Sequence, residues 1–255
     1  MEIPVHPELP LPNVGQWPVP LNTDSPHRMS DADLPSAAEP PATDAPELEA
    51  GAEAAPARKR PKPGERRIQI LQALASMLEQ PGAERITTAA LAARLEVSEA
   101  ALYRHFASKA QMFEGLIEFI EQSVFTLANQ IAERESQATD PSAGLRQAAA
   151  VVTMLLQFAE KNPGMVRVMV GDALVYENER LQQRMNQFFD KIETLLKQGL
   201  RFGGAADAST PSADAQVQAS VLTAFVVGRL QRFARSGFRR PPTEFLDDSL
   251  AQMLR

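Results

Sequence analysis

A chain of 255 residues with 44% apolar residues and no cysteine can bury a sizeable core, but it can form no disulfide and no thiolate metal site. Its net charge of -6 hides an asymmetry that argues against treating the chain as uniformly acidic. Residues 1–57 hold ten acidic side chains against Arg28, a net of -9, whereas residues 58–110 hold ten basic against five acidic, a net of +5.

The first 57 residues are rich in Pro, Ala, Asp and Glu and lack apolar periodicity, so they are predicted to be a disordered tail. Their start, MEIPVHPELP, has neither the basic residues nor the apolar stretch of a signal peptide. Apolar runs further on fall short of the ~20 residues a bilayer span needs, so a cytoplasmic protein without a membrane partner is expected. RKRPKPGERR (58–67) is a basic arm that reads equally as a solvated linker or as an added contact to phosphates or a minor groove. It leads into a helix over about Arg66 to Glu79, with Ile68, Leu71, Leu74, Ala75 and Leu78 at helical spacing and Pro81-Gly82 as its stop.

TTAALAARLEVSEAALYRHFASK (87–109) reads as two short helices and a tight turn. Thr87 or Thr88 caps the first helix, which ends near Leu95; Glu96 and Val97 turn; Ser98 caps a second helix over about Glu99 to His105. Leu91, Leu95, Val97, Leu102 and Phe106 are spaced to bury one another, leaving Ser98, Glu99, Ala100, Tyr103, Arg104 and His105 outside. Small residues beside Tyr, Arg and His suit a major groove, where close approach and longer side chains are both needed. Ser108 to Gln111 is a capping box opening a long helix over about Lys109 to Arg134. A lysine at a helix N-terminus opposes the dipole, and a phosphate would account for Lys109.

Further helices are predicted from Asp140-Pro141 to about Glu160, then to about Val170, from about Asn178 to Phe202 before Gly203-Gly204, and from Asp214 to about Arg235. A last one follows a Thr243 cap. No stretch alternates with period two, so the class is all-α: a tail (1–57), a basic arm and helix-turn-helix domain (58–110), and a C-terminal helical regulatory and dimerisation domain (111–255). Leu181, Met185, Phe188, Phe189, Ile192, Leu195 and Leu196, with Val217, Val221, Leu222, Phe225, Val226, Leu230 and Phe233, exceed what one core face needs and predict a subunit interface. Glu118 and Glu121 are paired carboxylates, but His105 is the one histidine outside the tail, so no ligand set gathers around them, no cofactor is expected, and an enzyme is improbable.

ITTAALAARLEVSEAALYRHFASKAQMFEGLIEFIE resembles the DNA-binding domain of the TetR family, with its Thr at the second helix, small-residue turn, Leu-Tyr-x-x-Phe and Lys. Within that family it is most similar to the branch that acts in nucleoid occlusion, and the likeness continues through EKNPG (160–164) and ERLQQRMNQFFDKIE (179–193). The resemblance implies a homodimer on double-stranded DNA at the nucleoid, contacting it through Arg66, Arg67, Thr87, Thr88, Ser98, Glu99, Ala100, Tyr103, His105 and Lys109. It also implies a groove between the long linking helix and the next one, where Phe119, Lys161 and Asn162 meet the C-terminal tail of the division protein FtsZ. Leu127 and Gln157 depart from that pattern. The competing reading is a repressor released from DNA by a small molecule, which requires a cavity of about 300 Å³ or more.

Overall fold

The computed structural model describes Leu11 and residues 64–80, 86–137, 140, 142–203 and 211–254. The predicted tail and arm therefore lie outside the described residues, apart from Leu11, as do Pro81, Gly82, Pro141 and Gly204. Leu11 is buried, against the expectation for a solvated tail. Among the described residues every regular element is helical.

α1 (Glu65–Leu78) buries Ile70, Leu71, Leu74, Ala75 and Leu78. α2 (Thr88–Arg94) and α3 (Glu99–Tyr103) are too short to be stable alone and depend on their caps and on the core they share with α1. α4 (Lys109–Ser136) is continuous through residue 110, so the predicted domain division falls inside a helix. Its predicted stripe, Met112, Phe113, Leu116, Ile120, Val124, Leu127 and Ile131, is buried as expected. Ile117, Phe119 and Ala128 are buried too, so α4 is covered over more than one face. At its start an added Cβ on Gly115 would sit 3.0 Å from Leu71 Cδ1, so the small residue lets α1 and α4 approach.

α5 (Ala143–Lys161) opens two residues later than the sequence implied. The Asp140 carboxylate accepts from the Ser142 N–H at 3.0 Å and from the Ser142 hydroxyl at 2.7 Å, and it also pairs with Arg146. Asn162 ends α5, and Pro163 takes the first position of α6 (Pro163–Met169), where its missing N–H costs nothing. A 3₁₀ turn (Asp172–Leu174) leads to α7 (Glu179–Gly203) and α8 (Pro211–Arg235), which pack along each other and on α5.

α8 ends in a Schellman motif: Gly237 is left-handed (φ 62), Phe238 N–H donates to Phe233 O at 3.0 Å, and the two phenyl rings lie 5.1 Å apart. α9 (Leu246–Met253) closes the chain. Thr243 does not cap it; its hydroxyl donates to Glu160 Oε2 at 2.6 Å, and the left-handed Phe245 occupies the cap position.

The α7 and α8 stripes are largely internal. Leu181, Met185, Phe188, Ile192 and Leu196 are buried within the chain, as are Leu222, Val226, Leu230 and Phe233, while Phe189, Leu195 and Phe225 are half-buried. The apolar surface left over is narrower than predicted and sits on α8, where Val217 is 63% and Val221 49% exposed and a Cβ on Gly228 would meet open space.

Candidate DNA-binding interface

The helix-turn-helix is held by bonds local in sequence. Thr87, in extended backbone, accepts from Ala90 N–H at 3.1 Å; Ser98 accepts from Ala101 N–H at 3.3 Å; Ser108 accepts from Gln111 N–H at 3.2 Å. Each satisfies an orphan donor of a first helical turn. Gln111 completes its box one residue further back than expected, accepting from Ala107 N–H at 2.6 Å.

The turn between α2 and α3 is a second Schellman motif. Glu96 is left-handed (φ 54), Val97 N–H donates to Ala92 O at 3.0 Å, and Glu96 N–H donates to Ala93 O at 3.1 Å. A non-glycine residue in this conformation costs about 1 kcal/mol, which the two bonds and the half-buried Val97 offset.

Leu91, Leu102 and Phe106 are buried beneath the motif, whereas Ser98, Glu99, Ala100, Arg104 and His105 are exposed and Tyr103 is 47% exposed. α3 thus offers a face of small residues edged by a phenol, a guanidinium and an imidazole. Arg104 belongs to this face as fully as the residues singled out from sequence.

Five of the expected contact residues have side-chain partners inside the chain. Arg67 Nη1 donates to His105 O at 2.9 Å and its guanidinium lies 4.2 Å from the Phe106 ring centre, so it fastens α1 to the C-terminal end of α3. Thr88 Oγ1 donates to Glu99 Oε2 at 2.6 Å and braces the starts of α2 and α3. Lys109 needs no phosphate to explain it: Nζ lies 2.5 Å from Glu177 Oε1, on the turn before α7, and 5.6 Å from the Phe113 ring centre. That pairing spans 68 positions, and nothing local in the sequence signals it. Arg66 bonds Gln69 at 2.9 Å.

The groove residues divide differently from the expectation. Lys161 is exposed. Phe119 is only 2% exposed, its ring 6.3 Å from that of Phe158, and Asn162 is 1% exposed with its amide donating to Phe158 O at 2.9 Å. Phe119 and Asn162 are therefore corrected from surface contacts to packed residues.

Glu121 pairs with Arg184 at 2.5 Å and Glu118 accepts from Gln122, which accounts for both carboxylates structurally. A hollow of about 430 Å³ lies between α4 and α7, lined by Phe125, Asp190, Lys191, Thr194, Leu195 and Gln198. Its volume meets the size asked of a ligand site, but it is open to solvent rather than an enclosed chamber.

The domain order matches known families. Residues 70–116 match the family described as bacterial regulatory proteins, tetR family, and residues 144–255 match the tetracyclin repressor-like C-terminal domain of SlmA-like type. Solved structures agree on the fold: the TetR family regulator PfmR from Thermus thermophilus has a TM-score of 0.54 at 18% identity, covering 74% of this chain and 95% of that one. The chain is 48% identical over 186 residues to the nucleoid occlusion factor SlmA of Alteromonas mediterranea, covering 73% of this chain and 92% of the relative. It is 50% identical over 185 residues to that of Aliivibrio fischeri (strain MJ11), covering 72% and 91%. The chain belongs to the TetR family of DNA-binding regulators and, within it, to the SlmA nucleoid occlusion factors. This is a family of regulators, not of enzymes.

Proposed function

We propose that the protein works as a DNA-bound nucleoid occlusion factor that holds back FtsZ assembly over the chromosome. The observation that carries this reading is the identity of about half, extending across nearly the whole length of the relatives of that name. A helix-turn-helix with its small-residue face exposed supports the DNA half of it.

α3 enters the major groove. Ala100 and Glu99 face base edges; Tyr103, His105, Arg104 and the N-terminal N–H groups behind Thr87, Ser98 and Ser108 meet phosphates. Lys109 reaches a phosphate by exchanging its carboxylate partner, Glu177. Two copies join through the outer ridge of α8, Val217, Val221, Ala224 and Gly228, whose spacing of four, three and four follows one helix face. A two-fold pair then sets two α3 helices about 34–36 Å apart, one turn of duplex. The FtsZ tail binds along α4 and α5, with the exposed Lys161 meeting its acidic residues. Dimers gathered on one duplex present several such sites to one polymer at raised effective concentration.

Anisotropy with an FtsZ C-terminal peptide tests this. Wild type should bind, more weakly as salt rises, and Lys161→Glu should abolish binding while DNA affinity is unchanged. If wild type fails to bind the peptide even with DNA present, and a small apolar compound releases the DNA, the chain is a ligand-responsive repressor instead.

A further inference from the structure

The connector between α8 and α9 (236–245) carries Phe245, the most exposed large apolar side chain among the described residues at 72%. Its backbone is left-handed (φ 52), as is that of Phe238 (φ 61), a conformation that is costly for a residue with a Cβ and that glycine takes more readily. Phe238 offsets that cost by packing on Phe233 and against α6, where the Arg167 guanidinium lies 5.2 Å from its ring centre. The Phe245 ring, left in solvent, offsets little of it. We propose that this connector is a docking surface for an acidic peptide with a large apolar side chain, and that it continues the FtsZ-tail site beyond Lys161; the proposal rests on the reading of FtsZ as the partner.

Position and charge support this occupant. Thr243 Oγ1 donates to Glu160 Oε2 at 2.6 Å, which fastens the connector to the last turn of α5, one residue from Lys161. From Ala215 to Thr243 the chain holds five arginines and no acidic residue, and Arg232, Arg235, Arg239 and Arg240 are exposed about the end of α8. Among the described residues neither Lys161 nor Arg240 has an ion-pair partner. The acids Glu244, Asp247 and Asp248 come after this run, and the two aspartates stand in the first turn of α9, where the helix dipole favours them.

The surface is ordered before any partner arrives. Ser236 Oγ accepts from the N–H groups of Arg239 at 3.1 Å and Arg240 at 3.0 Å and donates to Phe233 O at 2.8 Å, while Arg239 Nε donates to Ser236 O at 2.9 Å. On the far side Phe245 O accepts from the Ser249 N–H at 3.1 Å and from its hydroxyl at 2.7 Å. An aromatic ring beside arginines is the composition of binding hot spots, and a surface already held in place loses little entropy on docking. The α4–α5 face lacks such anchors: Phe119 and Asn162 are packed inside, so exposed contacts have to come from beside Lys161.

The test is anisotropy of a labelled FtsZ C-terminal peptide with the full chain, with and without DNA, read beside urea unfolding and sedimentation. Phe245→Gly should weaken the peptide at least fivefold while the urea midpoint stays no lower than that of wild type, because glycine accepts this backbone. Arg240→Glu, whose bond within the connector is made by its backbone, should weaken the peptide at least fivefold and flatten the salt dependence of binding. Wild-type affinity in both variants, with Lys161→Glu still abolishing binding, overturns the connector site and leaves the FtsZ reading standing. No binding by wild type under either condition removes both. If Phe245→Gly spares the peptide and instead shifts dimer towards monomer, the ring belongs to a subunit contact and the proposal is overturned.

Discussion

The helix-turn-helix and the α5–α6 corner stabilise themselves by opposite means. α2 and α3, of seven and five residues, are closed by hydroxyl caps and a Schellman turn between near neighbours, and most of α3 faces solvent. α5 has no exposed residue from Ala143 to Ala159, and α6 begins with Gly164 set against the backbone of α1. The first arrangement leaves a surface free to meet a duplex. The second makes the regulatory helices and α1 one packed body, so a partner bound near Lys161 stands one residue from Asn162 and three from the contact with α1.

The sharpest way to break this contrast is a side-chain truncation in each region. Phe158 is fully buried and touches both Phe119 and, through its carbonyl, Asn162. Phe158→Ala should cost about 3–5 kcal/mol in urea unfolding, whereas Ala100→Gly on the exposed face of α3 should cost no more than about 1 kcal/mol. Similar losses at the two positions would show that α3 is packed, not presented.

The next effect in size tests the α1–α6 contact. A Cβ on Gly164 would lie 2.1 Å from Ala75 O, a backbone atom that cannot swing aside. Gly164→Ala should destabilise by about 1–3 kcal/mol and loosen the DNA-binding domain against the rest. An unchanged denaturation midpoint would mean that α1 and α6 move apart freely.

A smaller effect concerns the ion pair between Lys109 and Glu177, which bridges the two regions. Glu177 neutralises Lys109, so Glu177→Gln should raise DNA affinity a few-fold, while Lys109→Ala should lower affinity for all sequences alike and reduce the salt slope by about one. If Lys109→Ala leaves the salt slope unchanged, Lys109 does not reach phosphate.

What can be read from the sequence follows the same division. The caps at Thr87, Ser98 and Ser108, the buried stripe of α4 and Pro163 at the start of α6 are local signals, and local chemistry decides them. The surroundings of Lys109, Arg67 and Phe119 are not legible in the same way, because their partners are Glu177, the His105 carbonyl and the Phe158 ring, set by tertiary packing. Thr243 does not cap α9 for the same reason: Glu160, 83 positions away, takes its hydroxyl. The α7 and α8 stripes overstate the interface because period alone does not separate a core face from a subunit face.

The smallest effect lies at the entry to α5, where a local signal and a tertiary outcome meet. Asp140 is held at a pKa of about 2 by the Ser142 N–H first, then by the Ser142 hydroxyl and Arg146. A carboxyl depressed on folding adds stability above its unfolded pKa, near the ordinary 3.8, and loses that contribution as pH falls through about 2. Because the carboxylate is in open solvent, water screens the gain and only a slight shift in midpoint is expected. Asp140→Asn should therefore unfold at marginally lower urea than wild type at about pH 5, with the gap narrowing by about pH 2.5. A gap of equal size at both values would mean that the side chain acts by shape and neutral hydrogen bonding, and that α5 starts where it does without help from charge.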